Sequence, residues 1–226
     1  MRRLALLGIW AAATVVACTD PATPDRECAG CYYSFADTAP PDTLFFHWPS
    51  ARLPVRYWAD PRGNMAFLVQ RAFTTWEEQF LYGEFTAVLV SDSAHADVLG
   101  VWSASVPQDV PPDTGAAVPA CSGATHSPGA TGIVIDSTTH AIVGPIVVEL
   151  DVRGTYTAAQ IQACVRRVAI HEVGHSLGLF NVLHAGAVPS DIMYSTVMVD
   201  LPSRRDRTTI EVTYHTRATV LAPPRP

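Results

Sequence analysis

The run His171-Glu172-Val173-Gly174-His175 constrains this chain more than any other stretch of it. Upstream, Thr157-Ala158-Ala159-Gln160 has the form of a capping box, and Ile161, Cys164, Val165 and Val168 fall on one helical stripe. Together they predict a helix that starts at Thr157 and carries the run near its end. On such a helix residues four apart share a face, so the two imidazoles can grip one metal ion. Glu172 lies about 100° further round, out of ligating position but able to reach a water beside the metal. From the frequencies of His and Glu in the chain, the pattern arises by accident roughly 0.01 times in a sequence of this length. The expectation is a zinc site, with His171 and His175 as ligands and Glu172 as general base. Gly178 lets the helix stop and the chain turn back, which brings a third ligand from just downstream. The only later glutamate, Glu211, lies far along the chain and beyond an intervening loop, which makes it a weak candidate for a ligand on a following helix.

The rest of the chain has to build a domain around that helix. Its 226 residues, 48% of them hydrophobic, suffice for one ordinary core and exclude a multidomain machine. A formal charge of −6 with 16% charged residues gives no basic field, which excludes nucleic acid as a partner. Leu53 to Trp58, Phe85 to Val90, Ala96 to Trp102, Gly132 to Ser137 and Ile146 to Leu150 are β-branched or alternating runs that predict strands. Asn64 to Phe80 has the spacing of an amphipathic helix, with Phe67, Leu68, Ala72, Trp76 and Phe80 apolar. Val106 to Gly132, rich in Pro, Gly, Ser and Ala, reads as a surface or cleft-rim loop. The fold class expected is α+β, a mixed sheet with two long helices.

At the N-terminus, Met1-Arg2-Arg3 precedes an apolar run from Leu4 to Ala17 and then Cys18, the layout of a secretory signal. Val15-Val16-Ala17-Cys18 resembles the lipobox of bacterial lipoproteins. That resemblance implies a signal peptide over 1–17, lipidation of Cys18, and anchoring to the outer membrane or cell surface. Residues 18–43, rich in Pro and Asp, then read as a tether, with order beginning near Leu44. The domain is expected over 44–222, with a short tail over 223–226. Four cysteines remain for an exported chain, and three disulfide connectivities are open. Cys28 with Cys31 and Cys121 with Cys164 is the preferred pairing, because the first pair lies in the tether and the second in the domain.

His171, Glu172, His175 and Gly178, followed by Asp191-Ile192-Met193-Tyr194, resemble the metzincin metalloproteases and more narrowly their matrixin-like branch. The resemblance implies a twisted mixed sheet, an active-site helix, a C-terminal helix and a Met-turn with Met193 beneath the metal. It covers about Phe46 to Val220 and departs from the family pattern at one position. Asn181 stands where the third histidine is expected, and the next histidine is His184. A three-residue insertion ahead of the ligand restores the set as His171, His175 and His184. Asn181 is the alternative, although imidazole is the better zinc donor.

The implied activity is a zinc-dependent endopeptidase acting on a protein or peptide substrate, with the membrane engaged only through the N-terminal lipid and the chain a monomer. An extended peptide is expected to add to an edge strand, assigned to Gly132 to Ser137. The alternative is a noncatalytic zinc-binding surface lipoprotein with a degenerate protease site. Calcium is compatible with the chain but not indicated, since irregular sites built from carbonyls leave no signature. His47, His95, His126, His140 and His215 stand alone, and Arg204, Arg205, Asp206 and Arg207 read as a mixed-charge helix start on a solvated face, with Asp206 capping the helix or pairing with Arg. Tyr194 is expected either to border the substrate pocket or to pack beside Met193.

Overall fold

Alternation of apolar residues builds the central sheet. Strands β3 (Val55–Ala59), β5 (Val98–Trp102) and β7 (Ile146–Leu150) bury every other side chain at their starts, among them Val55, Tyr57, Val98, Ile146 and Val148. Burying an aliphatic side chain of this kind stabilises the fold by about 1.5–3 kcal/mol each. The computed structural model describes residues 30–39, 42–103, 129–151, 158–180 and 186–225. Within them the five-stranded sheet has the order β4-β3-β5-β7-β6, with β4 at Ala87–Leu89 and β6 at Gly129–Gly132. The first four strands are parallel, and β6 closes one side antiparallel to β7. A separate hairpin pairs β1 (Asp37–Ala39) with β2 (Asp42–Leu44).

Helices α1 (Met65–Glu77) and α2 (Ala158–Ser176) pack against the sheet and each other. The buried face of α1 is Met65, Leu68, Val69, Ala72, Phe73 and Trp76, whereas Phe67 is turned to solvent, so the expected stripe is shifted by one position there. Trp76 donates from Nε1 to the Ile170 carbonyl at 2.7 Å, fixing α1 against α2 with an indole that is fully buried yet satisfied. On α2, Cys164, Val165 and Val168 are buried as the stripe requires. The helix ends at Ser176, and Gly178 then takes a φ of 110°, in the left-handed half of backbone space. A Cβ at Gly178 would lie 2.0 Å from the Phe46 carbonyl oxygen, so the turn tolerates no side chain. Helix α3 (Arg204–Tyr214) closes the chain's C-terminal part.

Two expectations change, and a third falls partly outside the described residues. Ordered packing begins before Leu44, because Tyr33 and Phe35 are buried in the common core and the β1–β2 hairpin follows them; the aromatic residues outweigh the Pro- and Asp-rich setting. The strand expected over Gly132 to Ser137 lies earlier, at Gly129–Gly132, where the backbone pairs with β7 despite small side chains. Beyond it, only Ile135 bridges to Ile142, around a turn in which Asp136 accepts from the Thr138 and Thr139 amides. Cys31 and Cys164 are both disulfide-bonded, while the preferred partners Cys28 and Cys121 lie outside the described residues, as do Cys18, the signal and the first part of the tether. No described helix is long and apolar enough to cross a membrane. The α+β class with a mixed sheet and a C-terminal helix stands.

Candidate metal centre

Helix α2 delivers both histidines to one place, and backbone carbonyls set their tautomers. His171 Nδ1 donates to the Ile192 carbonyl at 2.7 Å, and His175 Nδ1 donates to the Leu179 carbonyl at 2.5 Å. A carbonyl accepts only, so each Nδ1 carries the proton and each Nε2 presents a lone pair. The two Nε2 atoms stand 3.1 Å apart. Two facing lone pairs repel, and a cation between them removes the repulsion. Tetrahedral zinc at 2.0–2.1 Å from each nitrogen would hold them about 3.3 Å apart, so the pair fits that ion, and its carbonyl-bound Nδ1 atoms are the usual support of metal-binding imidazoles.

Glu172 lies beside them in a tight sleeve. Its side chain is buried, and a Cβ built on Gly129 of β6 would come within 2.7 Å of Glu172 Oε1 and 2.5 Å of Val168. Glycine at 129 therefore lets the strand lie directly on the carboxylate. The Thr131 hydroxyl is 2.7 Å from Glu172 Oε2 and 2.9 Å from the Glu172 carbonyl, and it donates to one of them at a time. Burial pushes the carboxyl up to about 7, with the Thr131 hydrogen bond working against the rise. A cavity of about 400 Å³ opens onto His171, Glu172 and His175, with Thr131, Ile135 and Phe180 in its wall.

Beneath the helix, Gly174 is pinched between Trp76 and Met193: a Cβ there would lie 2.6 Å from Met193 Sδ and 2.7 Å from the indole. The turn at Ile192 and Met193 is held by Asp206, which caps α3 as expected but is fully buried instead of lying on a solvated face. Its carboxylate accepts from the amides of Ile192 at 2.8 Å, Met193 at 3.3 Å and Ser203 at 2.6 Å, and from the Tyr33 hydroxyl at 2.7 Å. Burial raises the Tyr33 phenol well above its usual range, and the negative Asp206 adds to the rise, so it stays a donor. A hydrogen-bonded line thus runs from Tyr33 through Asp206 and the Ile192 peptide to His171. Asp191 is also buried and is paired with Arg205 at 2.8 Å.

Of the residues expected at the site, His171, Glu172 and His175 meet at one cavity and Met193 lies under their helix. His184 and its alternative Asn181 lie outside the described residues, and among the described residues no group of three candidate ligands assembles. His47, His95, His140 and His215 do not line the cavity, and His126 is outside the described residues. Ser195 borders the cavity, whereas Tyr194 packs against the core. Thr131, Gly129 and Asp206 were not singled out as site residues by their sequence. Only Asp206 carries a readable signal, the Ser203-x-x-Asp206 capping box that the structure forms. No protein-family model matches the chain, and no curated protein is detectably similar to it.

Proposed function

We propose that this chain is a zinc-dependent endopeptidase of the metzincin type, similar to the matrixins, exported and lipid-anchored through Cys18 at the outer membrane or cell surface. The observation that carries the reading is the convergence of two Nε2 lone pairs, 3.1 Å apart, beside a buried glutamate on one cavity. His171, His175 and His184 would hold the ion. Bound there, zinc polarises a carbonyl and lowers the pKa of water to about 7.

The chain's own residues do the rest. Glu172, with its carboxyl raised by burial, accepts a proton from water and passes it to the departing amine. Thr131 and the Gly129 backbone keep that carboxylate against β6 and away from bulk water. Strand β6 is the outer strand that borders the cavity, so an extended peptide would add along Gly129–Gly132 and lay a peptide bond across the cavity. Phe180 and Ile135 exclude water from the bound segment.

Cleavage of a mixed peptide library by the full chain in detergent tests this, with a chelator and Glu172→Ala as paired controls. Chelator-sensitive cleavage is expected, lost by at least a hundredfold in Glu172→Ala with metal content kept. Stoichiometric zinc with no cleavage by the unaltered protein would sink the protease reading and leave a zinc-binding lipoprotein.

A further inference from the structure

Asp37 belongs to the N-terminal hairpin, yet it lines the same cavity as His171, Glu172 and His175. The hairpin is anchored on both sides. Before it, Phe35 is buried and meets Phe45 edge-on at 5.6 Å; after it, the Phe45 amide donates to Thr219 Oγ1 at 2.9 Å, and that hydroxyl donates to the Thr43 carbonyl at 2.8 Å. Phe46 then stacks on Phe180 at 5.5 Å and 7°, and Phe180 is itself part of the cavity wall. Asp37 is therefore carried on a fixed piece of chain and not on a loose end.

Among the described residues no cation pairs with Asp37, whereas most of the more deeply buried aspartates have a charged or amide partner. Asp60 is paired with Arg62, Asp97 with three arginines, Asp191 with Arg205 and Asp200 with Arg167, while Asp206 is taken up by amides. Asp37 is half-buried, and among the described residues its carboxylate accepts one hydrogen bond, from the Thr38 amide at 2.8 Å. Among the described residues the cavity wall contains no Arg or Lys, and its apolar members Ile133, Ile135 and Phe180 give the carboxylate nothing to pair with. A basic side chain entering the cavity would meet this carboxylate on its wall.

We infer that Asp37 is a specificity-determining residue: it reads a basic side chain, Arg or Lys, on the peptide that enters this cavity. The inference rests on the protease reading and deepens it by naming the substrate class. Glu172 is committed to proton transfer at the scissile bond, so Asp37 is the carboxylate left to recognise charge. The preference is electrostatic and falls with added salt on basic substrates more than on neutral ones.

The test is a peptide series differing at single positions on either side of the cleaved bond, carrying Arg, its neutral isostere citrulline, or Glu. The unaltered chain is expected to favour Arg at one position by roughly tenfold in kcat/KM. Asp37→Asn should collapse that ratio toward one, and Asp37→Arg should turn the preference to Glu, a gain that misfolding cannot produce. Cleavage by the unaltered chain without preference for Arg, or an equal preference in Asp37→Asn, overturns the assignment and leaves the protease reading intact. Absence of cleavage by the unaltered chain, with zinc bound, overturns both.

Discussion

Asp206 and Asp97 are both almost fully buried, but the first is satisfied by three backbone amides and a phenol, the second chiefly by guanidiniums. Asp97, just before β5, pairs with Arg52 at 2.8 Å, Arg56 at 3.4 Å and Arg225 at 3.2 Å, and accepts one amide, that of Arg56. Amides are part of the backbone, so a carboxylate that binds them fixes where the chain runs. Guanidiniums sit at the ends of flexible stems, so a carboxylate that gathers them ties segments together while leaving local geometry to other contacts. The Asp206 cluster is thus a shaping element for the candidate site, and the Asp97 cluster is a clasp between β3, β5 and the C-terminal segment.

The largest effect expected is from Asp206→Ala. It leaves the amides of Ile192, Met193 and Ser203 without their acceptor, and each donor so stranded costs about 1–3 kcal/mol, for a loss of at least about 3 kcal/mol. Because the Ile192 carbonyl orients His171, zinc affinity should fall as well, by about 10–100-fold in line with losses of supporting contacts elsewhere. Urea unfolding and a zinc competition titration on the folded fraction would measure the two. Unchanged affinity in a folded variant would mean that the turn keeps its shape without Asp206, and the contrast with Asp97 would break.

Asp97→Ala comes next and sharpens the contrast from the other side. Removing the carboxylate leaves Arg52 and Arg56 crowded and uncompensated, at a cost of about 3 kcal/mol. Zinc affinity should not move, because no hydrogen bond of this cluster reaches the turn or the histidines. A stability loss accompanied by weakened zinc binding would show that the clasp also shapes the site.

The difference between the clusters also explains what could be read from sequence. The sheet strands β3, β5 and β7 follow their alternation, α1 and α2 follow their stripes, and the histidine pair follows from helical spacing; each is a local pattern. Strand β6 has no such pattern, since Gly129, Ala130, Thr131 and Gly132 become a strand only because β7 offers them a partner. Asp206 reads as part of a solvated helix start and Asp37 falls in a Pro- and Asp-rich tether because nothing nearby in sequence says that Tyr33 or the Ile192 turn will fold onto one, or that the histidine helix will face the other. Contacts spanning more than a hundred residues, such as Tyr33 to Asp206, leave no periodic trace. The third ligand stays an expectation at His184.

The smallest effect is a change of slope with pH, and it distinguishes a guanidinium clasp from a neutral one. Burial pushes the Asp97 carboxyl up, but the Arg56 amide and the guanidiniums of Arg225, Arg56 and Arg52 outweigh it and hold the group below its ordinary 3.8. A carboxylate depressed in the folded state binds its proton more readily once unfolded, so acid favours unfolding. Its contribution is fully present above the unfolded value and is lost as pH falls through the folded one. The stability gap between the unaltered protein and Asp97→Asn should therefore stay constant from neutrality to about pH 5 and narrow at about pH 3. Urea midpoints at those pH values measure it. A gap that persists undiminished into acid would show that the arginines hold Asp97 by packing and hydrogen-bond geometry, with its charge contributing little, and the clasp would then resemble the Asp206 cluster more than it differs from it.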